Sequence, residues 1–214
     1  MTALTDAIRN GDAEAIETLL DAEPELVSEM EGNVSPLLFA LYHGKRELAH
    51  LLLDRGAPLS IGEACALGER ERVEGLLTAD PASLESRTPD GFPPLGLAVF
   101  FGQPEIARLL IERGADVSAA ANNALRVAPV HAAAAACDRD TMRLLLARGA
   151  DPNARQQLDY TPLHGAASRG DIEMAKLLID AGADPAARGA DGMSPPEVAR
   201  KYDQTAFAEW FESR

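Results

Sequence analysis

Residues 160–171 read YTPLHGAASRGD. Thr161 is a natural helix cap, because its side-chain oxygen can accept one of the orphan N–H groups of a first turn. Pro162 suits the first helical position, where the N–H it lacks would have no intrahelical partner. Gly170 breaks the chain after the last helical residue, a place that favours a left-handed backbone. The spacing predicts one short helix from about Pro162 to Ser168 and a second from about Ile172 to Ala181, closed by Gly182. His164 is the residue here with acid–base chemistry. Whether it serves a reaction or only holds a turn decides between an enzyme and a surface for other proteins.

The stretch recurs. APVHAAAAACDRDTMRLLLARGADP begins at Ala128, FPPLGLAVFFGQPEIARLLIERGADV at Phe92 and VSPLLFALYHGKRELAHLLLDRGAPL at Val34. The anchoring prolines, Pro36, Pro94, Pro129, Pro162 and Pro195, are separated by 58, 35, 33 and 33 residues. The gap of 58 hides a copy with no proline at its start, IGEACALGERERVEGLLTADPASL from Ile61, in which Gly68 aligns with Gly170. LTDAIRNGDAEAIETLL puts Gly11 at the same place, and MSPPEVARKYDQTAFAEWFESR follows the frame from Pro195. Seven copies result, with approximate bounds 1–30, 31–60, 61–86, 87–119, 120–154, 155–187 and 188–214, in a single domain spanning 1–214. One pair of short helices cannot bury its own Leu-Leu and Ala-Ala faces, so stacked neighbours must do so. The end copies are atypical, as caps should be. Asp12, Glu14 and Glu17 charge the first, and Trp210 and Phe211 are expected to plug the end of the stack.

This pattern resembles the ankyrin repeat family. Thr161, Pro162, Leu163, His164 and Ala166, then Gly170, Leu177–Leu178 and Gly182-Ala183-Asp184, carry the resemblance, and residues 128–152 repeat it nearly as well. It implies an all-α solenoid of stacked helix-turn-helix units with short β-hairpin-like fingers. It also implies that the histidine hydrogen-bonds within and between turns, and that partner proteins are met by the fingers and the concave face of the first helices.

Composition narrows the partners. The formal net charge is -14, a field that repels phosphate backbones and anionic lipid, and no Lys/Arg run offsets it. No nucleic acid and no membrane is therefore expected as a partner. Aromatic residues are only 5%, so the core must be built from Ala, Leu, Ile and Val. Cys65 and Cys137 form no CxxC and are expected to be reduced thiols. The opening residues carry Asp6 and no apolar stretch of the kind that leads secretion. A soluble, cytoplasmic protein without a cofactor is the expectation.

Other candidate chemistry dissolves into the repeat. His131 and His164 are equivalent positions 33 residues apart, and Leu38 and Gly96 replace them in other copies. No HExxH, P-loop, GxSxG or paired CxxC is present, so neither a metal nor a catalytic set is expected. A small-ligand or enzymatic site near His43, Phe100 and His131 is the weaker alternative.

The two residues before each break glycine are expected to project onto the binding face. In chain order they are Arg9-Asn10, Tyr42-His43, Ala66-Leu67, Phe100-Phe101, Ala135-Ala136, Ser168-Arg169 and Lys201-Tyr202. Apolar residues gather in the middle, and exposed apolar surface with aromatic anchors marks interaction sites. Tyr42, Leu67, Phe100 and Phe101, with Arg169, are the expected contacts. The finger at 118–129 is two residues longer than its neighbours, and the one at 154–162 has Asp159 where the resemblance leads one to expect Gly. Asn122, Asn123, Leu125, Arg126, Gln156, Gln157, Leu158 and Tyr160 are the second set of expected contacts. The expected function is protein–protein interaction by a monomer. A self-associating module closed through Phe100 and Phe101 is the competing reading.

Overall fold

A computed structural model describes residues 2–213, and the chain falls into two compact units, Met1–Pro94 and Leu95–Arg214. The N-terminal unit runs α1 (Ala3–Asn10), α2 (Ala13–Ala22), α3 (Pro36–Tyr42), α4 (Arg46–Asp54), α5 (Ile61–Leu67) and α6 (Arg70–Ala79). The C-terminal unit runs α7 (Pro94–Phe100, starting at the boundary), α8 (Pro104–Glu112), α9 (Pro129–Ala136), α10 (Arg139–Ala147), α11 (Pro162–Arg169), α12 (Ile172–Asp180), α13 (Pro195–Lys201) and α14 (Thr205–Glu212). Among the described residues these make seven helix pairs, an all-α repeat solenoid.

The sequence explains where each pair starts and stops. Proline stands at the first position of α3, α9, α11 and α13. The break after the first helix is left-handed at Gly11, Gly44, Gly68, Gly102 and Gly170. Cys137 takes that conformation in place of glycine, with φ 56°. Second helices end at left-handed Gly56, Gly114, Gly149 and Gly182. The exceptions are α14, whose C-cap is Ser213, and α2 and α6, which run ten residues and pass into 3-10 turns at Pro24–Ser28 and Pro81–Glu85. Proline cannot continue the helix, so it starts the tighter turn instead.

Each unit has an aliphatic core. Leu4, Ile8, Ile16, Leu37, Leu38 and Leu52 are fully buried in the first; Leu95, Leu97, Leu110, Met142, Leu145 and Phe207 are in the second. Burial of each such side chain contributes about 1.5–3 kcal/mol. In the C-terminal unit α11 packs against both α9 and α13. The approach is close: a Cβ on Gly165 would stand 3.3 Å from that of Ala134. At the end of this unit Phe207 is buried, with Trp210 and Phe211 half-buried around it at ring separations of 5.6 and 5.9 Å.

The fingers are tight turns rather than ladders. Thr88 N–H donates to Phe92 O, Gln156 N–H to Tyr160 O and Gly189 N–H to Met193 O, each at 3.0 Å. The longer finger closes from Ala121 to Val127 at 2.9 Å. In the C-terminal unit the tips are tied in series, Gln157 N–H to Leu125 O at 2.8 Å and Ala190 N–H to Leu158 O at 2.7 Å.

Candidate functional site

The histidines settle first. His164 Nδ1 accepts the Thr161 N–H at 3.1 Å, and Nε2 lies 3.1 Å from the Met193 carbonyl in the next finger. His131 repeats this with the Ala128 N–H at 3.1 Å and the Ala154 carbonyl at 2.9 Å. A nitrogen that accepts from an amide carries no proton, and one that faces a carbonyl must carry one. The partners therefore fix the neutral Nε2–H tautomer. Burial pushes both imidazoles below their ordinary pKa, which keeps them uncharged. Both rings are fully engaged and hold the first turn of one copy to the finger of the next.

The same backbone N–H is served by other side chains elsewhere. Thr5 accepts from Thr2 N–H at 3.1 Å, Glu63 from Ser60 N–H at 2.7 Å and Glu197 from Ser194 N–H at 2.7 Å. Thr, Glu and His all present an acceptor at the third helical residue, and the capping geometry asks for nothing more.

Around the histidines the C-terminal unit opens a groove of about 270 Å³. Its floor is small: Ala132 and Ala135 of α9, Gly165 and Ser168 of α11. One edge carries Phe100 at the end of α7, 47% exposed, and Tyr202 after α13, 51% exposed, lies at its lip. Tyr160 is the fixed wall. Its ring stacks on His164 at 4.8 Å, its hydroxyl donates to Asp191 at 2.7 Å, and a Cβ on Gly189 would strike the ring at 2.3 Å. Burial and the Asp191 carboxylate push the phenol up to about 12, so it stays protonated and donating. The groove is uncharged, apolar and preformed. Such a surface recognises apolar groups by shape, and its two imidazoles and the Tyr160 hydroxyl are already committed.

The expected contacts divide. Phe100, Gln156 and Tyr160 line the groove together. Phe101 is half-buried, its ring edge-on to Phe100 at 5.1 Å. Arg169 is exposed beside the floor and donates to the Ala135 carbonyl at 2.8 Å. Leu125, Arg126, Gln157 and Leu158 gather at the tied fingertips. There Arg126 donates to Gln156 O at 3.0 Å and pairs with Asp159 at 3.1 Å. Asn123 accepts the Leu125 and Arg126 N–H groups and shapes the long finger, whereas Asn122 is simply exposed.

Tyr42 belongs to the N-terminal unit, where its hydroxyl donates to Asp90 at 2.7 Å. Burial and that carboxylate hold its pKa far above the ordinary phenol range. Leu67 is a correction: it is only 2% exposed and offers no surface. Every residue of α5 is buried, as expected of a helix apolar nearly all round. Tyr202 was the missed residue. It already stood in the last of the pairs read from the sequence, Lys201-Tyr202, as an aromatic where Arg169 stands in the preceding copy.

Among the described residues no cluster of three His, Cys, Asp or Glu side chains forms a metal set, and no helix is long and apolar enough to cross a membrane.

Two family models match this chain, "Ankyrin repeat" over residues 90–123 and "Ankyrin repeats (many copies)" over residues 130–179. Over those residues the chain carries ankyrin repeats, which are in general modules that bind other proteins. Among curated proteins it is 36% identical over 91 residues to the E3 ubiquitin-protein ligase KEG of Arabidopsis thaliana. It is 31% identical over 132 residues to the Ankyrin repeat and KH domain-containing protein mask-1 of Caenorhabditis elegans. These matches take in 42% and 55% of this chain but only 6% and 5% of those proteins.

Proposed function

We propose that this protein holds another protein through the groove of its C-terminal unit, receiving a bulky apolar side chain from a partner segment. The observation that carries the reading is the pairing of half-exposed Phe100 and Tyr202 with a floor of Ala132, Ala135, Gly165 and Ser168. Large, rigid aromatics beside a shallow apolar floor supply contact area at low entropic cost, and such anchors dominate interface energies. The tied fingertips, with Leu125 and Leu158 exposed, provide a second contact zone. No reaction is part of this reading, because both histidines in the groove are engaged at both nitrogens. The ligase and KH functions in the relatives' names belong to those proteins. The surroundings best suited to the net charge of -14 are aqueous, with a monomeric chain, no nucleic acid and a cytoplasmic setting.

Photo-crosslinking in cells tests it. A benzophenone amino acid replaces Phe100, Tyr202 or, as a control, the exposed Lys176 of α12. One and the same protein adduct is expected from positions 100 and 202 and none from 176. Equal adducts from all three positions, or none from 100 and 202, would overturn the assignment.

A further inference from the structure

The N-terminal unit carries a different surface. Its 94 residues hold 18 Asp and Glu against 7 Lys and Arg, so 11 of the chain's 14 excess negative charges fall there. From Asp12 to Glu31 there are eight acidic residues and no Lys or Arg. That run ends beside an apolar slot of about 170 Å³. Val27, Met30, Leu37 of α3, Ala57, Pro58 and Pro89 are its apolar lining. Its volume is near the ~150 Å³ that accommodates a benzene ring.

The carboxylate at the slot, Glu63, is committed. It accepts the Ser35 hydroxyl at 2.5 Å and the Ser60 N–H at 2.7 Å. The interior therefore offers mainly apolar contact, with both Glu63 oxygens already engaged. The rim is different: Glu25 and Glu29 are exposed on the segment that supplies Val27 and Met30, and Met30 itself is exposed. Glu31 comes next, accepting the Thr2 N–H at 3.1 Å. Arg87, two residues before the lining Pro89, donates to the Gly91 carbonyl at 3.0 Å.

From this complementarity we infer that the slot docks a basic segment of a partner protein, one apolar side chain inserted and its flanking Lys or Arg over Glu25 and Glu29. An acidic segment would meet like charge, and a second copy of this chain would bring its own excess of negative charge. The site is separate from the aromatic groove and does not depend on it.

Fluorescence anisotropy of the full chain with labelled peptide GKRFKRG, in about 50 mM salt, tests the inference. Saturable binding is expected, weakened about tenfold by E25K/E29K and about tenfold when the peptide phenylalanine becomes serine or Met30 becomes serine. F100A/Y202A is expected to bind the peptide as the native chain does. These substitutions lie on exposed side chains, and circular dichroism checks that each variant is folded. No binding up to about 1 mM peptide would overturn the inference. So would equal binding of GKRSKRG, which means charge alone, or loss of binding in F100A/Y202A. A dimer in light scattering that M30S dissolves would assign the slot to a second copy and equally overturn it.

Discussion

His164 is a capping residue that happens to be titratable. Its Nδ1 accepts from Thr161 and its Nε2–H donates toward Met193; alanine would leave the buried Thr161 N–H without its acceptor and take from the Met193 carbonyl one of its two donors. His164→Ala is expected to cost about 2–3 kcal/mol in urea unfolding at pH 7. Glutamine offers one acceptor and one donor on a neutral side chain, so His164→Gln is expected to keep most of that stability. Equal losses for the two would contradict the cap. The pH dependence has a definite sign. Burial lowers both folded-state histidine pKa values below 6.5, so below that point the unfolded chain binds more protons than the folded one. Stability is therefore expected to be full above about pH 6.5 and to fall as pH drops through the lowered values. His131→Gln/His164→Gln should flatten that fall. Asp171 adds a more acidic window. Burial raises its pKa, but the Arg139 guanidinium and the Met174 N–H outweigh that and hold it below 3.8, so its contribution is lost only as carboxylates protonate.

At the scale of elements, the chain writes its punctuation in proline and glycine, and those marks were legible. Pro129, Pro162 and Pro195 start helices and Gly170 and Gly182 end them, as the spacing predicts. The 3-10 turns at Pro24 and Pro81 were not read from the sequence, although a proline just past a helix is a physical stop signal. Those copies align through Gly11 and Gly68, and a glycine between two helices carries no information about the end of the second. Leu67 was misread for a related reason. Position in the repeat places a side chain on a helix face, but whether that face is covered depends on the neighbouring copy. Phe100 was legible because bulk at a projecting position is hard to bury, and Tyr160 because it ends a finger; the small groove floor had no sequence signal apart from the alanine and glycine spacing. Cys137 is a local mismatch, an L-residue at φ 56° where five copies use glycine and the last uses Asp203 at φ 60°. Cys137→Gly is expected to stabilise by about 0.5–1 kcal/mol, raising Tm by about 2 °C in a scanning calorimeter. A fall in Tm would mean that the thiol makes contacts worth more than the strain.

Over the whole molecule, one repeated scaffold carries two unlike surfaces. The C-terminal unit presents a neutral, aromatic-edged groove, and the N-terminal unit an apolar slot in a strongly acidic setting. The groove borders the repeat's own Thr161, Pro162 and His164, but the histidine is consumed in capping, and the exposed aromatics Phe100 and Tyr202 lie outside that signature. The same economy explains why the repeat was readable from YTPLHGAASRGD and the partner was not: the matched residues hold the fold, and the contacts proposed above lie in residues that vary between copies. The groove as the seat of partner binding is the central claim. Its most direct test is a calorimetric titration of the protein captured at positions 100 and 202 onto the native chain and onto F100A/Y202A. The expected result is a one-to-one complex weakened by about 2–4 kcal/mol in the double variant, with Cys137→Gly binding as the native chain does. Unchanged affinity in F100A/Y202A, with the variant still folded, would contradict the claim.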